Sequence, residues 1–298
     1  LSETHTHDTT LEQLRARPGL IKSARALVRK QPLGAFGLFL VMATLFTGLF
    51  APLLTPYDPV HVEFANMLQP PGAGYLLGTD QFGRDILTRL LYGARPALVV
   101  GCTAAFLGST AGLVFGVTSA YLGGRFDLLF QRAADIMQSF PLIIMALAIV
   151  AVFGPSMVNL IIAITIPFIP DCARVVRSSA LAQRQMPYVD AARANGYSAA
   201  RIILRHIVPN VTAPYLIMIT TFVGHAILLE ASLSYLGLGV QEPTPAWGLM
   251  LQGRAEEYTE SAPWLAVWPG VAISLAVFGF NMLGDAVRDV LDPKLRSE

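Results

Sequence analysis

Charge is scarce in this 298-residue sequence: 14% of its residues are Asp, Glu, Lys or Arg, against about a quarter in ordinary soluble domains. A chain so poor in charge and 54% hydrophobic reads as a protein of the lipid bilayer. Lysine is scarcer still. Lys22, Lys30 and Lys294 are its only examples, and none follows a glycine-rich phosphate loop, which argues against ATP hydrolysis by this chain itself. The two cysteines, Cys102 and Cys172, fall in or beside apolar runs without the paired spacing of a metal or redox motif, so they read as reduced packing residues. His5, His7, His61, His206 and His225 are scattered over separate segments. No nucleophile–base spacing or metal-ligand pattern emerges from them, which leaves no catalytic residue and no metal site to name. A net charge of +1 gives no ground for a nucleic-acid partner. Residues 1–10 are polar and lack the apolar core and small-residue cleavage site of a signal peptide, so no cleavable leader is expected.

In place of charge, the sequence has long uncharged runs. Residues 35–54, 96–122, 211–229 and 264–283 each suit one membrane-crossing helix of about twenty residues. The run 136–170 is too long for one crossing, and Gly154-Pro155 divides it into a hairpin. The expected fold is therefore an all-α polytopic membrane protein with six transmembrane helices. The basic residues orient it. With the amino terminus inside, 17 of the 21 Lys and Arg lie on inner segments, leaving only Arg84, Arg89, Arg95 and Arg254 outside. Both termini are thus expected in the cytoplasm of a multi-pass bacterial plasma-membrane protein. The chain divides into a cytoplasmic tail and interfacial helix (1–33), a first span (34–54), an extracytoplasmic segment (55–95), a core with five further spans (96–287) and a cytoplasmic tail (288–298).

Several stretches carry finer expectations. Thr79 or Asp80 can cap a helix in which Ile86, Leu87, Leu90 and Leu91 share a side, with Arg84, Asp85 and Arg89 meeting water or one another. Gly108, Gly112 and Gly116 recur every four residues and form a flat ridge for a neighbouring helix. Pro141 is placed to kink the third span, and Asp171, Arg174 and Arg177 are spaced for pairing along one helix. Glu230 is the most conspicuous acid near a span. With His225 and Asn281 it forms a candidate translocation-pathway set, the alternative for Glu230 being a hydrogen bond to a neighbouring helix or the outer loop. Trp247, Trp264 and Trp268 are expected near the headgroups, beside an acidic outer loop containing Glu242, Glu256, Glu257 and Glu260.

The most informative stretch is residues 190–210, DAARANGYSAARIILRHIVPN, a polar basic island between two spans. Pro187 suits the first turn of a helix, Gly196 suits a left-handed close, and Ser198 can cap a second helix running to about His206. Ala191, Ala192 and Ala194 offer a small-residue face, and Arg193, Arg201 and Arg205 offer cations to a partner's acids.

This island resembles the EAA loop of ATP-binding-cassette importer permeases. Asp190 stands in place of the usual Glu, and His206, Ile207, Val208 and Pro209 stand where that pattern has Ile, any residue, Leu and Pro. LLGTDQFGRDILTRLLYGARPAL, LSYLGLGVQEPTPAWG and the ending DPKLR resemble the C-type permeases of the dipeptide, oligopeptide and nickel importer group. The resemblance implies a type I ABC importer permease fold with cytoplasmic coupling helices over about 178–209. Asp190, Ala191, Ala192, Arg193, Gly196, Arg201, Arg205 and Pro209 would then contact an ATPase. It also implies a second, B-type permease, two cytoplasmic ATPases carrying ATP and Mg, and an extracytoplasmic binding protein, with no cofactor in this subunit. Peptides are the expected cargo, with nickel chelates or glutathione as alternatives. A self-contained secondary transporter or channel, the reading from another class, would call for intramembrane charge pairs or inverted repeats, and neither is evident.

Overall fold

A computed structural model describes residues 31–252, 257, 258 and 260–291. The interfacial helix expected over 11–30, together with Arg254, Glu256 and Lys294, lies outside the described residues. Ten α-helices are described: α1 Pro32–Leu54, α2 Ile86–Leu122, α3 Gly124–Gln138, α4 Leu142–Phe153, α5 Met157–Arg184, α6 Pro187–Ala194, α7 Ala199–Ile202, α8 Thr212–Tyr235, α9 Trp247–Leu251 and α10 Trp264–Leu291. Among the described residues there is no named strand, only an isolated bridge between Thr79 and Asp85.

Helix α2 is the hub. Its glycine ridge lies against α5 with no room for side chains: a Cβ on Gly108 would stand 2.7 Å from Phe168 Cβ, one on Gly112 2.6 Å from Cys172 Cβ, and one on Gly116 2.6 Å from the Ala173 carbonyl oxygen. In lipid, where apolar side chains gain little by leaving one tail for another, such close backbone approach supplies the packing that holds helices together. The pairings rise together along both helices, so α2 and α5 run parallel. Gly101 receives Ile227 of α8, Gly224 of α8 receives Asn281 of α10, and Gly279 of α10 receives Leu40 of α1. Small residues thus set the contacts of α2 with α5 and α8, of α8 with α10 and of α10 with α1.

Five helices are long and apolar enough to cross a membrane: α1, α2, α5, the continuous run Ala199–Tyr235, and α10. The expected third span is different. Helix α4 has 12 residues, about 18 Å, which cannot cross the ~30 Å hydrocarbon core alone. It passes as a span only when joined to α3, from which it departs by 91°. Pro141 starts α4 after this break, so the expected kink is a corner.

The two ends of the bundle differ. At one end lie the α5–α8 connection and both described chain ends, Gln31 bonding Asp289 across 3.5 Å. At the other, residues 55–85 fold over the start of α2. The cap of α2 is Asp85, whose side chain accepts from the Thr88 amide at 2.8 Å, rather than Thr79 or Asp80. Thr79 is instead occupied with the Asn66 carbonyl and the Gln69 amide. Arg84 and Arg89 do not face water: both are buried, in ion pairs with Asp80 and Glu242. Trp247 is only 4% exposed and donates to the Leu90 carbonyl at 2.8 Å, while Trp264 donates to Thr79 O at 3.1 Å. These tryptophans, expected at headgroups, fasten α9 and α10 to the start of α2, and Trp268 packs against the neighbouring Ile86 and Leu265 cluster.

Candidate functional site

The α5–α8 connection is built as the sequence suggests. Pro187 begins α6, and the helix ends in a Schellman motif: Gly196 at φ +74° donates to Arg193 O at 2.9 Å, and Tyr197 donates to Ala192 O at 3.1 Å. Ser198 caps α7 by accepting from the Arg201 amide at 3.4 Å. The second helix does not run as α-helix to His206. It passes from α7 into a π-helical turn, Ile203–Ile207, then a 3-10 turn, Val208–Val211, and so into α8. Pro209, which has no N–H to give, sits within that change of helical pitch.

Burial divides the loop into two faces. Val189, Ala192, Ile202 and Ile207 point into the main core, so Ala192 belongs to the inner face while Ala191 and Ala194 remain exposed. Outward stand Tyr188, Tyr197, Leu204, Asp190, Arg201, Arg205 and Pro209. The three arginines are not equivalent. Arg193 is engaged twice, 2.8 Å from Asp190 and over the Tyr121 ring of α2 at 5.5 Å. Arg201 lies over Tyr197 at 4.2 Å. Arg205 has no ion-pair partner among the described residues. His206 lies between the rings of Tyr188 and Tyr197, with centroids at 6.1 and 6.2 Å, so the residue that departs from the family pattern fills an aromatic slot.

Beside the loop, α5 is pinned to α3. Asp127 accepts from Arg177 Nε at 2.7 Å and Nη2 at 2.6 Å, and also from Ser119. Arg174 reaches Asp135 at 2.8 Å, and Asp171 takes Gln138 Nε2 at 2.5 Å. The pairing expected along α5 is therefore replaced by bonds between helices, because α3 folds back alongside it.

Above these bonds a cleft of about 630 Å³ opens between α3, α4, α5 and α8. Its walls include Pro167, Pro170, Asp171, Met218, Thr221 and His225. His225 is exposed on α8 midway along that helix. A polar side chain at such a position faces protein or water rather than lipid. The other two pathway candidates are elsewhere. Glu230 is 0% exposed, its Oε1 accepting from Ser234 Oγ at 2.8 Å, and Ser234 Oγ in turn accepts from the Val240 amide at 3.2 Å. Asn281 packs on Gly224 between α8 and α10. Glu230 therefore bonds Ser234 of its own helix, whose hydroxyl takes the Val240 amide of the following turn, and it does not line the cleft; this is neither the pathway position nor a direct bond to a neighbouring helix or the outer loop.

Residues 112–297 match the family model described as binding-protein-dependent transport system inner membrane component, and residues 19–71 match the N-terminal transmembrane domain of oligopeptide transport permease C. The chain belongs to this permease family. It is 43% identical to a putative peptide transport system permease protein of Brucella suis biovar 1, over 94% of this chain and 93% of that one. It is 44% identical to the dipeptide transport system permease protein DppC of Alkalihalophilus pseudofirmus, over 91% and 88%. A glutathione transport system permease protein, GsiD of Escherichia coli O6:K15:H31, is 40% identical over 90% and 88%. In fold, the chain superposes on a chain of the inward-facing MetNI methionine ABC transporter with TM-score 0.55 at 18% identity, covering 68% of this chain and 96% of that one.

As a permease of this family the chain is a multi-pass component of the inner membrane and works with ATPase and substrate-binding partners. Sequence reading missed the cleft, since Gln138, Asp171 and Thr221 come from three helices whose approach no local spacing encodes. One signal was present: Pro167 and Pro170 interrupt an otherwise regular span, and Thr221 and His225 lie one turn apart on α8.

Proposed function

We propose that this permease forms one half of the pathway of an ATP-driven peptide importer, pairing with a second, similar permease and two cytoplasmic ATPases that bind ATP and Mg. The loop end faces the cytoplasm. That orientation follows from the charge bias, 17 of 21 basic residues, and puts α6 and α7 within reach of the ATPases. Asp190, Ala191, Gly196, Arg201, Arg205 and Pro209 then form the contact surface, while Ala192 and Arg193 hold α6 to its own bundle. The observation that carries the reading is the unbroken course from α7 through the π and 3-10 turns into α8, the helix that bears His225 at the cleft. A displacement of the loop is thereby transmitted to the cleft wall, which is the alternating-access step such importers require.

The test is an assembled complex in proteoliposomes. Gly196→Pro forces φ from +74° to near −65° and removes the amide that closes the Schellman motif. Asp190→Arg breaks the pair with Arg193. Both variants are expected to insert normally and to lose substrate-stimulated ATP hydrolysis; normal stimulation would refute the coupling role. Peptide cargo is supported by the peptide-permease relatives at 43–44% identity. The glutathione permease at 40% gives a second cargo reading. Competition of labelled dipeptide uptake by unlabelled glutathione separates the two.

A further inference from the structure

At the end of the bundle opposite the coupling loop, the buried Asp80, Arg84 and Arg89 and the exposed Glu242 form a charge cluster on the wall of a cavity of about 270 Å³. We propose that Arg84 and Arg89 constitute a carboxylate-binding site for the terminal carboxylate of the cargo, held in this structure by Glu242 as a displaceable internal occupant. The proposal rests on the peptide-cargo reading.

The two acids are bound in different ways. Asp80 is fixed: its Oδ1 accepts from the amides of Phe82 and Arg84 at 2.8 and 3.0 Å, and its Oδ2 lies 2.6 Å from Arg84 Nε. Among the described residues the Glu242 carboxylate is bonded only by the arginines, 3.0 and 3.3 Å from Arg84 and 3.6 Å from Arg89, and its side chain is 46% exposed. It comes from the loop after α8, 158 positions away in sequence. Rotation of Glu242 into solvent leaves two cations against one fixed anion, a vacancy for one carboxylate.

Arg89 is the donor with capacity to spare. A guanidinium carries five N–H donors. This one is 1% exposed, yet among the described residues its side chain makes one hydrogen bond, from Nη1 to Pro59 O at 2.9 Å. Its acidic neighbours stand at 3.6 and 3.8 Å, within ion-pair range but beyond hydrogen-bond distance, and among the described residues its Nε has no hydrogen-bond partner. A buried guanidinium left short of acceptors is costly, and a planar carboxylate supplies the missing pair in bidentate geometry. The cavity also presents Gln81 and Gln252 as polar groups and Met250 and Leu265 as apolar ones, suited to a residue-sized group attached to the carboxylate.

The experiment uses the assembled transporter with its binding protein and compares uptake of a dipeptide with uptake of its C-terminal amide. Because the binding protein is the same in every arm, a change in the acid-to-amide ratio belongs to the permease. Arg89→Gln is expected to lower that ratio about tenfold, the scale of one charge-assisted hydrogen bond, with amide uptake unchanged. Glu242→Gln is expected to raise it, and this half-exposed position decides the matter if the Arg89 variant fails to assemble. A wild-type ratio in both variants overturns the proposal. Equal loss of both substrates together with binding-protein stimulation of the ATPase also overturns it and makes the cluster a docking clamp. If the wild type carries neither peptide, the cargo reading falls separately. The site is then read by thermal unfolding of the purified complex with acetyl-dialanine or its amide. Stabilisation by the acid alone, absent in Arg89→Gln, supports the site; equal or no stabilisation refutes it.

Discussion

At Gly196 a single dihedral carries the turn between α6 and α7. No atom lies within 4 Å of a Cβ built there, so substitution meets backbone strain and no clash. Gly196→Ala is expected to cost roughly 1–2 kcal/mol at the turn. Substrate-stimulated ATPase activity should fall partially, in contrast to the complete loss with proline. Glu230 behaves differently. Being fully buried on Ser234, it is not expected to read the cargo, and Glu230→Gln should leave the preference for peptides with a free amino terminus unchanged when uptake of free and N-acetylated dipeptides is compared. Residue identity made Gly196, Pro187 and Ser198 legible in sequence, because φ, missing N–H groups and capping are local properties. It did not reveal that Ala192 faces inward while Ala191 faces out, or that Trp247 and Glu242 serve the start of α2. Those facts depend on where distant chain segments return.

Helices were legible to the extent that their packing chemistry is written along one strand of sequence. The i, i+4 glycines of α2 announced a close partner, and α5 fills that place. Gly116→Val should prevent it, since the added Cβ meets the Ala173 backbone, which cannot swing aside. Loss of the monodisperse folded species in size-exclusion chromatography is the expected outcome. Gly270→Ala in α10 is the control: it has open space around it and should be tolerated. The α3–α5 bonds were not legible, because Asp127 and Arg177 are 50 positions apart. Asp127→Asn should loosen α3 and lower the thermal midpoint of the complex. The exchange Asp127→Arg with Arg177→Asp is expected to recover part of that loss, which a simple packing defect would not. The corner between α3 and α4 was half legible. Pro141 marked its place, but hydropathy alone could not distinguish a kinked span from a short helix preceded by an amphipathic one.

For the whole molecule, the charge bias predicts sidedness that the helix bundle makes testable. In a background lacking Cys102 and Cys172, a membrane-impermeant maleimide should label Tyr57→Cys from outside spheroplasts and Arg205→Cys only after permeabilisation. Reversal of that pattern would refute the orientation. Both positions are exposed and lie at opposite ends of the bundle. The 37 residues of α2 connect those ends. At 1.5 Å per residue the helix is about 55 Å long, nearly twice the hydrocarbon thickness, so it extends well beyond the hydrocarbon core. Tyr121, under Arg193 of the α5–α8 connection, belongs to one end; Arg89, in the charge cluster, belongs to the other. Helix α2 is therefore one continuous strut joining the two ends of the bundle. Unless it flexes at Pro96, a tilt imposed at one end of α2 is felt at the other without any relay of side chains between them.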